Sequence, residues 1–266
     1  VSAIPGRVDL AVICVPAALV EGALEECGRK GVRAAIVISA GFREVGEEGR
    51  LREEAVGRVL ARYRMRAVGP NCMGCVTTAP DVSMNATFAL GMPRRGNVAM
   101  MSQSGALSAA IMEYARGQNI GFSKFVSMGN ILNVDTVDLL EYFGRDKDTS
   151  VILMYLETFG DAARFARVCR PLSKRKPVMA VKGGRTAAGA RAARSHTGAL
   201  AGSDAAVQSL FDQCGVIRAN TLEELFDFTQ ALSGAPLPKG RQVAIVTDAG
   251  GPAIMATDAL PASGLA

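Results

Sequence analysis

The chain has 266 residues, 49% hydrophobic and 21% charged, which suits one large domain or two of ordinary size and excludes a disordered chain. Trp is absent, aromatics make up 5%, Gly numbers 29, and no apolar run approaches the ~18 residues of a membrane helix; aromatic nucleic-acid platforms, antibody-like sandwiches and obvious transmembrane helices are set aside. A net charge of +5 permits an anionic ligand, but the arginines are scattered among glutamates, so neither nucleic acid nor a membrane is an expected partner, and a single histidine excludes a metal site built from several.

In chain order the sequence reads as strands alternating with helices. Apolar runs at 10–15, 35–39, 98–102, 151–156, 178–181 and 243–247 have the unbroken hydrophobicity of parallel strands buried on both faces, and 125–128 is strand-like. Helical periodicity fills 18–29, 48–62, 106–117, 134–143, 161–172, 204–214 and 222–232. Thr221-Leu222-Glu223-Glu224 has the form of a capping box at the start of the last. Irregular stretches at 78–97, with Pro80, Gly91, Pro93 and Gly96, and at 233–240 read as linkers. They divide the chain into an α/β domain at 1–80, a second at 95–234 and the start of a third at 241–266. The opening reads as mid-domain sequence, so a fragment of a longer polypeptide is expected. Alternation of this kind implies βαβ units with ligands at the carboxyl ends of the strands. Residues 183–202 are rich in Gly and Ala, lack a core period and read as a mobile surface loop.

Six cysteines, Cys14, Cys27, Cys72, Cys75, Cys169 and Cys214, lie partly in apolar runs and are expected to be buried and reduced, as in a cytoplasmic protein. Cys72-Met73-Gly74-Cys75 is a lone C-x-x-C with no second ligand pair, so no metal site is expected; Gly69-Pro70-Asn71 ahead of it reads as a turn.

Four places could carry chemistry. At Met101-Ser102-Gln103-Ser104-Gly105-Ala106 an apolar strand runs straight into a helix, whose free N–H groups favour an anion; Ser104 could equally serve only as the helix cap. His196 sits in the Gly/Ala stretch, either a solvated imidazole or a nucleophile carrying a group on a loop, with Gly198 among its hinge positions. Glu157 closes the run 151–156, where a carboxylate can orient an imidazole through its second nitrogen or cap the next helix. Gly129-Asn130 makes a tight turn in the same row of loops. No Walker A motif, dinucleotide fingerprint or Gly-x-Ser-x-Gly elbow occurs.

Taken together, Val15-Pro16-Ala17, Ser39-Ala40-Gly41-Phe42, Gly69-Pro70-Asn71-Cys72-Met73-Gly74, Ser102-Gln103-Ser104-Gly105-Ala106-Leu107, Gly129-Asn130, Tyr155-Leu156-Glu157, the run Ser195-His196-Thr197-Gly198-Ala199-Leu200-Ala201-Gly202-Ser203 and Asp248-Ala249-Gly250-Gly251-Pro252 resemble the NDP-forming acyl-CoA synthetases, relatives of the succinyl-CoA synthetase α subunit. The resemblance spans nearly the whole chain and implies an N-terminally incomplete, Rossmann-like CoA-binding domain, a flavodoxin-like parallel-sheet domain and the start of another. It implies that acyl-CoA and phosphate give acyl phosphate, that His196 takes the phosphoryl group with Glu157 holding its tautomer, and that the loop delivers it to NDP. Phosphate binding would fall to Ser102, Ser104, Gly105, Ala106, Gly129, Asn130 and Gly198. Coenzyme A would run along Val15, Pro16, Ser39, Ala40, Gly41, Pro70, Asn71 and Cys72, with Cys72 near the thiol end and not a nucleophile. ADP or ATP with Mg2+ would bind outside this segment, on an ATP-grasp domain or subunit, and a homo- or hetero-oligomer is expected. The sequence departs from the pattern in lacking the Gly-rich phosphate turn of the first βα unit, in Ile131-Leu132 after Gly-Asn, and in Asp248. The alternative is a CoA-sensing module of a GNAT acetyltransferase fusion; retention of His196, Glu157 and the Ser-Gln-Ser-Gly turn favours chemistry.

Overall fold

The apolar runs become strands where a neighbouring run completes their hydrogen-bond ladder. The computed structural model describes residues 1–186, 189, 203–236 and 238–266, which fall into two units, Val1–Ser233 and Gly234–Ala266. In the first unit β1 (Leu10–Ile13), β2 (Ala34–Val37) and β3 (Arg66–Val68) form a parallel three-stranded sheet in that order. The crossovers are α1 (Ala17–Lys30) and α2 (Glu47–Tyr63). Val20, Leu24 and Cys27 of α1 and Val56, Val59 and Leu60 of α2 recur at helical spacing and share one core with Ala35, Val37 and Ala67. Cys14 is exposed, against expectation, because β1 is an edge strand and Cys14 lies just past its end. Cys27, Cys72, Cys169 and Cys214 are buried, and all six thiols are free.

The second sheet has seven strands: β4 (Gly74–Thr77), β5 (Met84–Thr87), β6 (Arg95–Ser102), β7 (Phe122–Ser127), β8 (Val151–Leu156), β9 (Val178–Lys182) and β10 (Ile217–Ala219). Their order is β10-β9-β8-β6-β7-β4-β5. The first five are parallel; β4 runs antiparallel to both β7 and β5. The sheet is thus mixed rather than wholly parallel, and 78–97 contains β5 and the start of β6 instead of a bare linker. Met84-Asn85-Ala86-Thr87 is an edge strand with one neighbour, so it needs no unbroken apolar run and shows none.

The central strands explain their own composition. Ala99 and Met101 of β6, Ile152, Met154 and Leu156 of β8, and Val178 and Ala180 of β9 face one core; Val98, Met100, Val151, Leu153, Met179 and Val181 face the other. Period-2 alternation with both faces covered produces a continuous apolar run. The first face is covered by α4 (Thr136–Arg145), α5 (Ala162–Ser173) and α6 (Asp204–Cys214), the second by α3 (Gly105–Gly117) and α7 (Leu222–Ser233). At the start of α7, Thr221 Oγ1 accepts from the Glu224 N–H at 3.0 Å, but the Glu224 carboxylate accepts from Asn220 N–H (2.7 Å), one residue earlier than a regular capping box. Because β7 and β8 flank β6 on opposite sides, the winding direction reverses there. The crevice at the carboxyl ends of β6 and β8 is the topological switch point.

The two sheets are joined by a backbone strap. N–H groups of Asn130, Leu132 and Val134 donate to the carbonyls of Pro70 (2.8 Å), Gly69 (3.1 Å) and Ala67 (3.1 Å). Leu132 packs into the core of the three-stranded part, and Ile131 against that of the seven-stranded part. Ile131 has a φ of +58°, a costly conformation for a β-branched residue.

In the second unit α8 (Gly250–Ala262) is the one regular element among the described residues. The strand expected at 243–247 is not formed: the Val243 N–H donates to the Ala266 carbonyl at 2.7 Å, and the unit holds no described strand to complete a ladder. Among the described residues no helix is long and apolar enough to cross a membrane.

Beyond α4, Asp146 accepts from Lys124 of β7 (3.0 Å) and from Thr149 (2.5 Å) in a largely buried network. Burial works against the Asp146 charge, but Thr149 and Lys124 outweigh it and hold its carboxyl below the usual range. A depressed folded pKa adds stability above the unfolded value of ~3.9 that is lost as pH falls through the folded one. Asp146→Asn strands Lys124 and is expected to cost about 3 kcal/mol at neutral pH. Denaturant melts should show the gap from wild type closing below about pH 4.

Candidate functional site

The residues at the switch point are set by local hydrogen bonding. Ser102, fully buried at the end of β6, donates through Oγ to the Ser104 carbonyl (3.0 Å) and accepts from the Ser104 N–H (3.2 Å). Ser104 caps α3, its Oγ accepting from the Leu107 N–H at 3.3 Å, and the Ser108 hydroxyl takes its carbonyl at 2.6 Å. Both serines are therefore engaged in building the turn, and the N–H groups of Gly105 and Ala106 open the helix. A Cβ on Gly105 would meet no atom closer than 3.8 Å, so the space above the helix start is free.

Gln103 lies between the two serines and fixes the neighbouring loop. Its Oε1 accepts from the N–H groups of Glu157 (2.8 Å) and Thr158 (2.9 Å), and its Nε2 donates to the Thr158 carbonyl (3.0 Å). These bonds hold Glu157, 9% exposed, at the carboxyl end of β8 beside the start of α3. Gln103 stands inside the Ser-Gln-Ser-Gly motif, and its partners, 54 and 55 residues away, are what give it a role.

Asn130 is the polar centre of the strap. Its Nδ2 donates to Glu44 Oε2 and to Glu53 Oε2, both at 2.7 Å, and its Oδ1 accepts from Asn71 Nδ2 at 3.3 Å. Arg43 donates to its carbonyl and pairs with Glu53. Burial opposes the charge of Glu44, yet the Asn130 amide and the N–H groups of Gly41 and Phe42 keep its carboxyl below the usual range. The amide protons of Asn130 are thus given to carboxylates. Gly129 permits the turn: its φ is +57°, and a Cβ would lie 2.2 Å from the Pro70 carbonyl oxygen.

These loops enclose a cavity of about 530 Å³. Ala40, Asn71 and Cys72 line it from the three-stranded side, and Ser104, Gly105, Ala106, Gly129, Asn130 and Glu157 from the seven-stranded side. Arg43, Glu44 and Phe88 line it too, and no local sequence pattern marks them. The remaining candidates support these loops. Pro16 is the N-cap of α1, which begins beside Val15. The Ser39 hydroxyl donates to the Val15 carbonyl at 2.5 Å, and Gly41 (φ +103°) lets α1 approach, a Cβ there lying 2.9 Å from that of Ala17. Pro70 offers its carbonyl to Asn130, and Ser102 is sealed beneath the turn. His196 and Gly198 lie outside the described residues.

Cys72 donates to the Val37 carbonyl at 3.3 Å, and burial pushes its thiol pKa up to about 12. Burial also pushes the Cys75 thiol up, so the C-x-x-C pair is protonated. Among the described residues no group of three or more His, Cys, Asp or Glu side chains could hold a metal ion. Arg43 and Gln103 also border a second cavity, of about 650 Å³, with Ile131, Val137 and Phe159 in its wall.

Residues 95–232 match a family model described as "Succinyl-CoA ligase like flavodoxin domain", and residues 1–78 one described as "CoA binding domain". The chain is 48% identical over 258 residues to a 4-hydroxybutyrate–CoA ligase [ADP-forming] of Nitrosopumilus maritimus, covering 96% of this chain and 37% of that protein. It is 45% identical over 265 residues to the acetate–CoA ligase [ADP-forming] II subunit alpha of Pyrococcus furiosus, covering 100% of this chain and 57% of that subunit. Among solved structures, the dinucleotide forming acetyl-coenzyme A synthetase 1 of Ca. Korarchaeum cryptofilum, in complex with phosphate and ADP, superposes with a TM-score of 0.94 at 43% identity, over 100% of this chain and 57% of that one. The chain thus spans between about a third and just over half the length of these relatives.

Replacing Asn130 tests the strap. Asn130→Ala removes one donor each from Glu44 and Glu53 and is expected to cost about 2 kcal/mol in chemical denaturation. The isosteric Asn130→Asp should cost more, because a third carboxyl group joins Glu44 and Glu53.

Proposed function

The chain belongs to the succinyl-CoA ligase-like flavodoxin domain family, and from that premise we propose that it is the alpha-type part of an NDP-forming acyl-CoA synthetase, an acid–thiol ligase. It interconverts acyl-CoA, phosphate and NDP with carboxylic acid, CoA and NTP, through an acyl phosphate and a phosphohistidine at His196. The observation that carries this reading is the cavity at the switch point. It places loops of the part matched as a CoA binding domain against a helix N-terminus and a buried carboxylate of the flavodoxin-like part.

In this reading Ala40, Asn71 and Cys72 border the path of the CoA thiol. The N–H groups of Gly105 and Ala106, aided by the dipole of α3, receive the oxygens of phosphate and acyl phosphate. Asn130 and Gly129 shape the wall through the strap. Gln103 fixes the backbone that presents Glu157, and Glu157 accepts a hydrogen bond from the N–H of one imidazole nitrogen of His196, so that the other keeps its lone pair for phosphorus. The nucleotide with Mg2+ would be bound by an ATP-grasp domain or partner subunit outside residues 1–266. One relative being an alpha subunit agrees with that. The free thiols suit a cytoplasmic protein.

Incubation with acetyl phosphate, and separately with acetyl-CoA plus phosphate, followed by acid-free mass spectrometry, tests the reading. An acid-labile phosphoryl group is expected on the peptide holding His196, absent in His196→Ala. Glu157→Gln should slow labelling by roughly 100-fold. No label from these or from longer acyl phosphates would discard catalysis in favour of a CoA-sensing module.

A further inference from the structure

Lys182 is the last residue of β9, and its Cα pairs in register with Leu156, the residue before Glu157. Its position at the carboxyl end of a central strand is the same row that holds the start of α3 and Glu157. The residue is 3% exposed, a rare state for lysine, and its ammonium donates to the Gly183 carbonyl. Lys182 and Glu157 together line a cavity of about 650 Å³, with Ala206 and Leu210 of α6 also in its wall.

The charges facing Lys182 come from three elements: Glu157 after β8, Asp204 at the start of α6 and Arg218 on β10. Asp204 accepts from Arg218 at 2.5 Å, and Gln208 binds the same guanidinium at 3.0 Å, so Asp204 is already paired. Arg218 is 8% exposed and adds a second buried cation. An ammonium carried into such a place costs several kcal/mol unless an anion offsets it.

We propose that Lys182 is a catalytic residue that binds the phosphoryl group in transit past Glu157, completing an anion site between the ends of β8 and β9. The proposal rests on the phosphohistidine reading above and adds to it a cation that the sequence motifs do not mark. In the transfer the bond from phosphorus to the acyl oxygen breaks, its electron pair leaving on the carboxylate. The imidazole lone pair forms the new bond to phosphorus. Lys182 keeps its three protons throughout and stabilises the phosphoryl oxygens by charge, as preorganised donors do in dry sites. Burial holds the Lys182 pKa below the ordinary lysine value, so the charge is lost earlier than usual on the alkaline side.

The test is single-turnover labelling of the full chain by acetyl phosphate from about pH 6 to about pH 10, alongside binding of inorganic phosphate followed by phosphorus NMR. Lys182→Met should slow labelling of His196 roughly 100-fold and weaken phosphate binding at least about tenfold. Lys182→Arg should retain labelling to within about tenfold and lose the alkaline fall of the wild type, because a guanidinium does not titrate there. The arginine variant and its pH profile decide the matter if the methionine variant does not fold. Equal labelling and equal phosphate affinity in Lys182→Met, or an unchanged alkaline limb in Lys182→Arg, overturns the proposal. A wild type that binds phosphate in a Lys182-dependent way but is never labelled supports the anion site and overturns the transfer reaction instead.

Discussion

The site depends on the strap between Asn130 and Val134. Three backbone hydrogen bonds to residues 67–70 fasten the seven-stranded sheet to the three-stranded one, and Leu132 places an apolar anchor in the far core. Without that attachment the cavity has only half its wall, because Ala40, Asn71 and Cys72 belong to one sheet's loops and Ser104, Gly105 and Glu157 to the other's. The polar part of the junction is buried, and in low dielectric each partner of Asn130 is held more firmly than the same bond at a surface would be. Ile131 carries the local cost: its left-handed backbone is tolerated because Asn130 and Leu132 on either side are both committed.

The switch point explains why chemistry gathers at one end of the sheet. Parallel strands deliver all their carboxyl ends to the same edge, and the reversal of winding at β6 leaves a crevice that no crossover covers. The start of α3 contributes dipole and N–H groups to it, and Glu157 a carboxylate. Each sits on a rigid element and is fixed by a neighbour: the helix start by Ser102 and Ser104, and Glu157 by Gln103. Preorganisation of this type is what phosphoryl transfer demands of a protein, since the covalent change itself needs little from it.

Much of this was legible in the sequence because it rests on local rules. The central strands are read from their apolar runs, and α6 begins and ends where its periodicity does. The peripheral strands were not legible: β4, β5 and β10 are three or four residues long, half-polar and recognisable only by what they pair with. The run at 243–247 shows the converse, a strand-like composition with no partner in its unit. In the site, Glu157 and the Gly105 turn follow from their places at strand ends. The motif resemblance puts Asn130 among the phosphate-binding residues, but its amide protons go to Glu44 and Glu53, which lie 86 and 77 residues away in sequence. Gln103 and Lys182 are invisible for the same reason: their significance is a distance in space.

The protonated state of Cys72 has a consequence for chemical selectivity. A cavity proposed to handle a thioester contains a sulfur of its own, and an ordinary thiolate there would capture the activated acyl group and leave the protein acylated. With a pKa near 12, only about one Cys72 in 10⁵ is ionised at pH 7. Its hydrogen is directed at the Val37 carbonyl, which ties the sulfur to β2. The protein can therefore border the reaction path with a sulfur atom that offers polarizable contact without nucleophilic competition.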